Sequence, residues 1–390
     1  MSSSVSSKSV SLLNQQTSEF ISFIRLFMIG GLVLHHIFSI PGEINYPRSG
    51  MAEYDSLIPA AVNSFLHYSF MTSVPLLSII SGFLFATSFA QFSGAGVKKI
   101  FVKKLKTLLF PMLFWCSLWF SFGFLVYWLS GGSINVSRDP YYDFSNMDWL
   151  YIPNALFGIV QQSPYAFQFW FIHDLVLTFI LAPLIFAVSS SRIYYIGLGV
   201  ITFLLWFKGF TPPGMYNSNV LFFFIVGGVC NRIGFNVFGD WISKYYFIPL
   251  IFGIGFVVAL AMRAWNYALF EEGSFLARNI DTFIYLRGLR CLGVVTFLGL
   301  LWWFSHHLTT AYNFISKYST KSFWIYAVHF PVIFFVKWAF EVMPLQQTAW
   351  FQVLSIFLIT YFTIVVSLAL GALVNRISPQ FYSLINGGRS

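Results

Sequence analysis

Apolar stretches close to twenty residues long recur along this chain from residue 20 to residue 374, with short polar segments between them. About 20 apolar residues in a helix cross the ~30 Å hydrocarbon core of a bilayer. The pattern therefore predicts ten membrane helices, over 20–40, 64–90, 107–130, 165–188, 193–208, 218–234, 246–264, 285–305, 322–341 and 350–374. Runs such as Ile248 to Met262 and Val353 to Val374 are continuously apolar. A membrane barrel would instead alternate in strands of about ten residues. The expected fold is an all-α polytopic bundle of about ten transmembrane helices over 20–375, with a polar, Ser-rich cytosolic tail at 1–19 and a second cytosolic tail at 376–390.

Composition agrees with a membrane as solvent: 57% of residues are hydrophobic, 21% aromatic and only 9% charged, which no soluble surface tolerates. The first apolar run is long enough to span and lacks a small-residue cleavage site, so it reads as a retained helix and not a signal peptide. Cys116, Cys230 and Cys291 sit singly inside apolar runs without metal-ligand spacing and read as packing residues.

Charge sets the orientation. The segments 1–19, 91–106, 189–192, 235–245, 306–321 and 375–390, with Arg232 beside them, hold thirteen Lys and Arg residues. The alternate segments hold four, Arg48, Arg138, Arg263 and Arg278. The positive-inside rule places the first group and both termini in the cytoplasm. The net charge of +9 is thus accounted for by a basic cytosolic face, and no basic, aromatic-interleaved soluble domain is present to take up nucleic acid. The expected location is a bacterial inner membrane, crossed many times.

Ionisable groups at membrane depth are costly, and each is a functional candidate. Here they are Arg25, His35, His36, His173, Asp174, Arg287, Arg290 and His329, with Lys208 and Lys337 near span ends. Arg25 and His36 are eleven positions apart, about three helical turns, so they share a face about 16 Å apart along the axis, while His35 points about 80° away. Snorkelling of Arg25 and a structural hydrogen bond from His36 suit the same pattern. Lys98, Lys99, Lys103, Lys104 and Lys106 flank the third span, as a topology signal, a lipid contact or an anion site. His173 and Asp174 are adjacent on a helix and do not face each other, so each is expected to find its partner on another helix. Arg287 and Arg290 share a face and suit either an anion or an ion pair with Glu271, Glu272 or Asp281. His329 precedes Pro331, which removes a helix hydrogen bond and frees a carbonyl within its reach. No zinc motif, G-x-S-x-G elbow, P-loop or dinucleotide fingerprint occurs. No metal site is expected.

Arg25 followed by ten residues and His36 resembles the signature of the membrane-bound acyltransferase-3 family. So, in order, do Ser73-Val-Pro-Leu-Leu-Ser-Ile-Ile-Ser81-Gly82-Phe-Leu, the basic segment from Val102 to Pro111, Phe169-Trp170-Phe171, and Ser322-Phe-Trp-Ile-Tyr326-Ala-Val-His329-Phe-Pro331. Family members often have arginine in the basic segment where this chain has lysines only, which keep the charge but not the bidentate fork. The resemblance covers about residues 20 to 375. It implies transfer of an acyl group, acetyl above all, from cytosolic acyl-coenzyme A to a hydroxyl of an extracytoplasmic glycan or lipid-linked sugar, without a bound cofactor. On that reading His36 and Arg25 are catalytic, and Lys103, Lys104 and Lys106 bind the donor. Trp170, His173, Asp174, Arg287, Arg290 and His329 then bind or orient the acceptor. Some members carry a fused periplasmic domain; this chain is expected to act alone, as a homo-oligomer, or with a polysaccharide synthase complex in the membrane lipid. The competing readings are a transporter of a glycan intermediate, which would release no coenzyme A, and a non-catalytic subunit of such a complex.

The charge bias makes a direct prediction: cysteines placed in 91–106 react with a membrane-impermeant thiol reagent only after the cells are opened, whereas cysteines in 131–164 react in intact spheroplasts. Labelling of 91–106 from outside would invert the assignment.

Overall fold

A computed structural model describes residues 15–39, 57–90, 102–134, 142–159, 163–189, 191–269, 282–343 and 348–389. Among these residues every regular element is helical. The principal helices are α1 (Gln15–Ile37), α2 (Leu57–Phe70), α3 (Ser73–Ala90), α4 (Phe110–Leu129), α5 (Tyr151–Phe157), α6 (Trp170–Phe186) and α7 (Arg192–Phe207). They continue with α8 (Ser218–Arg232), α9 (Phe247–Leu269), α10 (Thr282–His307), α11 (Thr309–Ser316), α12 (Ser322–Glu341), α13 (Ala349–Ile377) and α14 (Pro379–Ile385). The chain is an all-α, multi-pass membrane protein. All ten apolar stretches are helical, and eight are long and apolar enough to cross a bilayer. The other two, α7 and α8, have 16 and 15 residues, which at ~1.5 Å per residue gives about 24 and 23 Å.

Two boundaries differ from the sequence reading for local reasons. The stretch 64–90 is two helices, broken at Met71–Thr72, where the Thr72 N–H turns back onto the Ser69 carbonyl at 3.3 Å. Pro75 then falls in the first turn of α3, where its missing N–H leaves no helix bond unmade. The basic segment continues the third span downward as a helix from Val102, with one wide π turn at Leu105–Leu109 before Pro111. The residues after α13 also fold: α14 starts at Pro379, with the Ser378 hydroxyl accepting from the Phe381 N–H at 3.3 Å.

α1 lies in the interior and touches α2, α3, α10, α11, α12 and α13. Its buried residues include Phe20, Phe23, Met28, Val33 and His36. Around it, α3, α6, α8 and α12 are largely buried, whereas α9 and α13 turn faces such as Leu250, Ile251, Ile254, Leu354 and Phe357 outward, where lipid is expected. Helices α3 and α8 meet at two glycines. A Cβ on Gly82 would run into the Phe224 carbonyl, and one on Gly227 into the Ile79 carbonyl. Between α4 and α6, Tyr142, Phe144, Tyr151 and Tyr165 form a small second core. The Tyr142 hydroxyl donates to the Ser163 carbonyl at 2.8 Å and accepts from the Asn154 side chain at 3.1 Å, so part of 131–164 is a packed cap and not an open loop.

Close backbone approach makes Gly82 sensitive. Gly82→Ala is expected to destabilise the protein by ~1–3 kcal/mol as an overpacking change, read as a lower melting temperature in detergent. Gly197→Ala, on α7 with open space around it, is expected to be neutral or stabilising by up to ~1 kcal/mol.

Candidate active site

The last turns of α1 carry two histidines that the fold treats differently. His36 is buried, and its Nδ1 lies 2.8 Å from His329 Nε2 on α12, with the two rings stacked at 5.0 Å and 18°. His329 Nδ1 lies 2.6 Å from the Tyr326 carbonyl. A carbonyl only accepts, so His329 Nδ1 must carry the proton. In a neutral His329 the Nε2 then accepts, and His36 must donate from its own Nδ1. The relay leaves the basic lone pair of His36 on Nε2. His35 instead donates from Nδ1 to the His67 carbonyl at 3.0 Å and stacks on the His67 ring at 4.5 Å.

Pro331 does free a carbonyl, but a different group takes it. The Ala327 carbonyl, four residues before the proline, receives the Gln168 side-chain amide at 3.4 Å. The Tyr326 hydroxyl donates back to the Gln168 carbonyl. These bonds tie α12 to the short helical turn Phe167–Phe169 that leads into α6, and so fix His329.

Both His35 and His36 line a cavity of about 350 Å³, together with His67, Phe167, Trp170, Tyr216, Asn217, Asn219 and Arg290. Trp170 packs on Tyr216 with ring centres 5.4 Å apart. Arg290 has no ion pair or hydrogen bond to any carboxylate among the described residues.

His173 and Asp174 do not separate to other helices as their adjacency implies. His173 Nδ1 lies 3.0 Å from Asp174 Oδ1, a contact between neighbours near the start of α6. Asp174 also accepts the Tyr216 N–H at 2.9 Å and the Asn217 N–H at 2.7 Å. It thereby holds the approach to α8 and positions Tyr216 and Asn217 in the cavity wall. Asn217 in turn accepts from the Asn219 N–H at 3.0 Å, and Asn219 Oδ1 accepts the Trp206 indole N–H at 2.8 Å. Arg287 packs over Trp206, 5.9 Å from its ring, and donates to the Phe207 carbonyl at 2.8 Å, where it satisfies the open end of α7. Of the two arginines on α10, Arg287 binds protein and Arg290 faces the cavity. Glu271, Glu272 and Asp281 lie outside the described residues.

At the other end of α1, Arg25 is partly buried in the bundle. Among the three lysines, Lys104 turns inward, with its ammonium 5.3 Å from the Phe179 ring centre and Arg25 as an electrostatic neighbour. Lys103 and Lys106 point outward. The structure thus separates an arginine–lysine end from a histidine-lined cavity, joined along one face of α1. Among the described residues no group of three or more His, Cys, Asp or Glu side chains could hold a metal.

A family model described as an acyltransferase domain matches residues 18–372. The chain belongs to the acyltransferase-3 family. It is also 26% identical over 396 residues to the succinoglycan biosynthesis protein ExoH of Rhizobium meliloti (strain 1021), an alignment that covers 97% of this chain and 94% of that protein. No solved structure matches. Within the acyltransferase, sequence reasoning reached His36, His329, Trp170 and Arg290 but missed His67, Tyr216, Asn217 and Asn219. His67 carried a signal, as an imidazole inside an apolar helix. Tyr216 and Asn217 lie between spans, where only the Asp174 bonds reveal their place, and Asn219 sits in the first turn of α8, tied to Asn217 and Trp206.

Asp174→Ala is expected to leave two amide N–H groups without their acceptor at about 1–3 kcal/mol each. The expected outcome is faster proteolysis within 209–217 and a lower melting temperature, with Asp174→Asn intermediate.

Proposed function

We propose that this acyltransferase moves an acyl group from acyl-coenzyme A in the cytosol to a hydroxyl of an extracytoplasmic or lipid-linked glycan, from a bacterial inner membrane. The observation that carries the reading is the hydrogen-bonded chain from the Tyr326 carbonyl through His329 to His36, which leaves the lone pair of a cavity-lining histidine on Nε2. Family membership supports acyl transfer, and the relative's name supports a polysaccharide pathway.

In this reading the donor phosphates lie at the Arg25 and Lys104 end, and the thioester reaches along the Arg25–His36 face of α1. Lys103 and Lys106 add positive potential outside that entrance. The acceptor hydroxyl sits in the cavity, stacked on Trp170 and Tyr216 and bonded by Asn217 and Arg290. His36 Nε2 takes the hydroxyl proton as the oxygen attacks the thioester carbonyl. The tetrahedral intermediate collapses, the C–S bond breaks, and the departing coenzyme A sulfur receives the proton from His36. His329 keeps Nδ1 of His36 in the donor role and spreads the positive charge that His36 gains. Asp174 and Arg287 act on the acceptor side by holding the cavity wall, and His173 by its bond to Asp174. The acyl group in this reading is acetyl.

The test is release of free coenzyme A thiol, together with acylation of envelope glycan, in membranes matched for protein level. His36→Ala is expected to lower acyl transfer by about 10²–10⁴-fold, as loss of a general base does. His329→Ala is expected to lower kcat with little change in the donor KM, and His35→Ala to cost much less than either. Near wild-type transfer by His36→Ala would remove the mechanism. Glycan export without thiol release would favour a transporter.

A further inference from the structure

Residues 378–389 lie beyond the span that the family model matches, yet they are built into the basic end of the bundle. The Trp115 indole N–H donates to the Ile385 carbonyl at 3.2 Å, and buried Tyr382 packs on Trp324 with ring centres 4.9 Å apart. After α14, Gly387 and Gly388 take φ values of +68° and +75°, and a Cβ at Gly387 would run into the Thr107 carbonyl. This left-handed turn, open to glycine at no steric cost, folds the chain back against the turn that follows Lys104. Arg389 is then clamped. Its guanidinium donates to the Asn386 carbonyl at 3.1 Å, its carbonyl accepts from the Asn386 side chain at 2.6 Å, and its charge lies 4.4 Å from the Phe323 ring centre.

Arg389 does not stand alone there. Arg25 is its electrostatic neighbour, and Lys104 feels both. Burial and the positive charge of Arg25 push the Arg389 guanidinium down to about 10. Among the described residues the carboxylate pairs are His173–Asp174 and Lys337–Glu341, so none of the three cations has an acidic partner. Like charges held near one another and partly out of water repel and lose hydration, and an anion between them relieves both costs. Two guanidinium forks and an ammonium match the oxygens of a phosphate.

We propose that Arg389 completes a three-cation phosphate site with Arg25 and Lys104, so that the segment after the last span forms one wall of it. The inference rests on the donor reading above for one of two phosphate sources, coenzyme A; the other is an anionic lipid headgroup.

The experiment uses the full-length protein in nanodiscs of phosphatidylcholine alone, or with added phosphatidylglycerol. Binding of coenzyme A and of phosphate-free pantetheine is titrated in the first, and retained phosphatidylglycerol is counted by native mass spectrometry in the second. Arg389→Gln is expected to weaken coenzyme A binding by about tenfold or more, as loss of a charge-assisted bond does, and to leave pantetheine binding unchanged. Arg389→Lys, which keeps the charge and guards against a segment that merely comes loose, is expected to fall between Gln and wild type. Loss of retained phosphatidylglycerol with unchanged coenzyme A binding would keep the phosphate site, with lipid as its source, and count against the donor reading. If Arg389→Gln moves neither ligand, or if Arg389→Lys is as poor as Gln, the site is overturned while the donor reading stands.

Discussion

The hydrogen bond between His36 and His329 is the constraint on which the rest of the site depends. Two imidazoles at 2.8 Å can satisfy each other only if one donates and one accepts, and the Tyr326 carbonyl decides which. The ring nitrogens that meet are buried between α1 and α12, so the choice is fixed by helix geometry. The bond also ties α1 to α12, the two helices that carry groups at both ends of the bundle: Arg25 with His36, and Phe323 with His329.

Everything around this pair holds it in register. Gln168 takes the carbonyl that Pro331 releases, and Tyr326 answers from the same turn of α12. Asp174 spends both carboxylate oxygens on backbone amides and brings Tyr216 and Asn217 to the cavity. Gly82 and Gly227 let α3 and α8 approach to backbone contact, which sets the position of the α8 start beneath those residues. Asp174, Tyr326 and the paired histidines find protein partners, which is what makes their burial at membrane depth tolerable. Arg290 and the Arg25–Lys104–Arg389 group differ, since no acidic side chain among the described residues offsets them. They face the spaces where substrates are proposed to lie.

Much of the fold was legible because hydrophobic length reports directly on membrane crossing: all ten apolar stretches are helices. The break at Met71–Thr72 was marked by Thr72, Ser73 and Pro75 but masked by the apolar stretches on either side, and the α14 helix was missed because a seven-residue element carries little periodic signal. In the site, the eleven-residue spacing of Arg25 and His36 was readable from helix geometry. The pairing of His36 with His329 was not, since 293 positions separate them in the chain and no periodicity links residues on different helices. Helix adjacency likewise misjudged His173, whose ring turns back onto the Asp174 carboxylate, while Asp174 also finds partners on the segment before α8. Arg389 looked like one more basic tail residue, and only packing against Phe323 and the glycine turn places it inside.

The central claim is that His329 fixes His36 with its proton on Nδ1 and its lone pair on Nε2. Solid-state nitrogen NMR of the histidine-labelled protein in bilayers reads this directly, with His36→Ala and His329→Ala used to assign the signals. The account predicts a protonated Nδ1 and a bare Nε2 for His36 at neutral pH, and loss of that fixed pattern in His329→Ala. A His36 ring protonated at Nε2 and bare at Nδ1, unchanged by removal of His329, would contradict it.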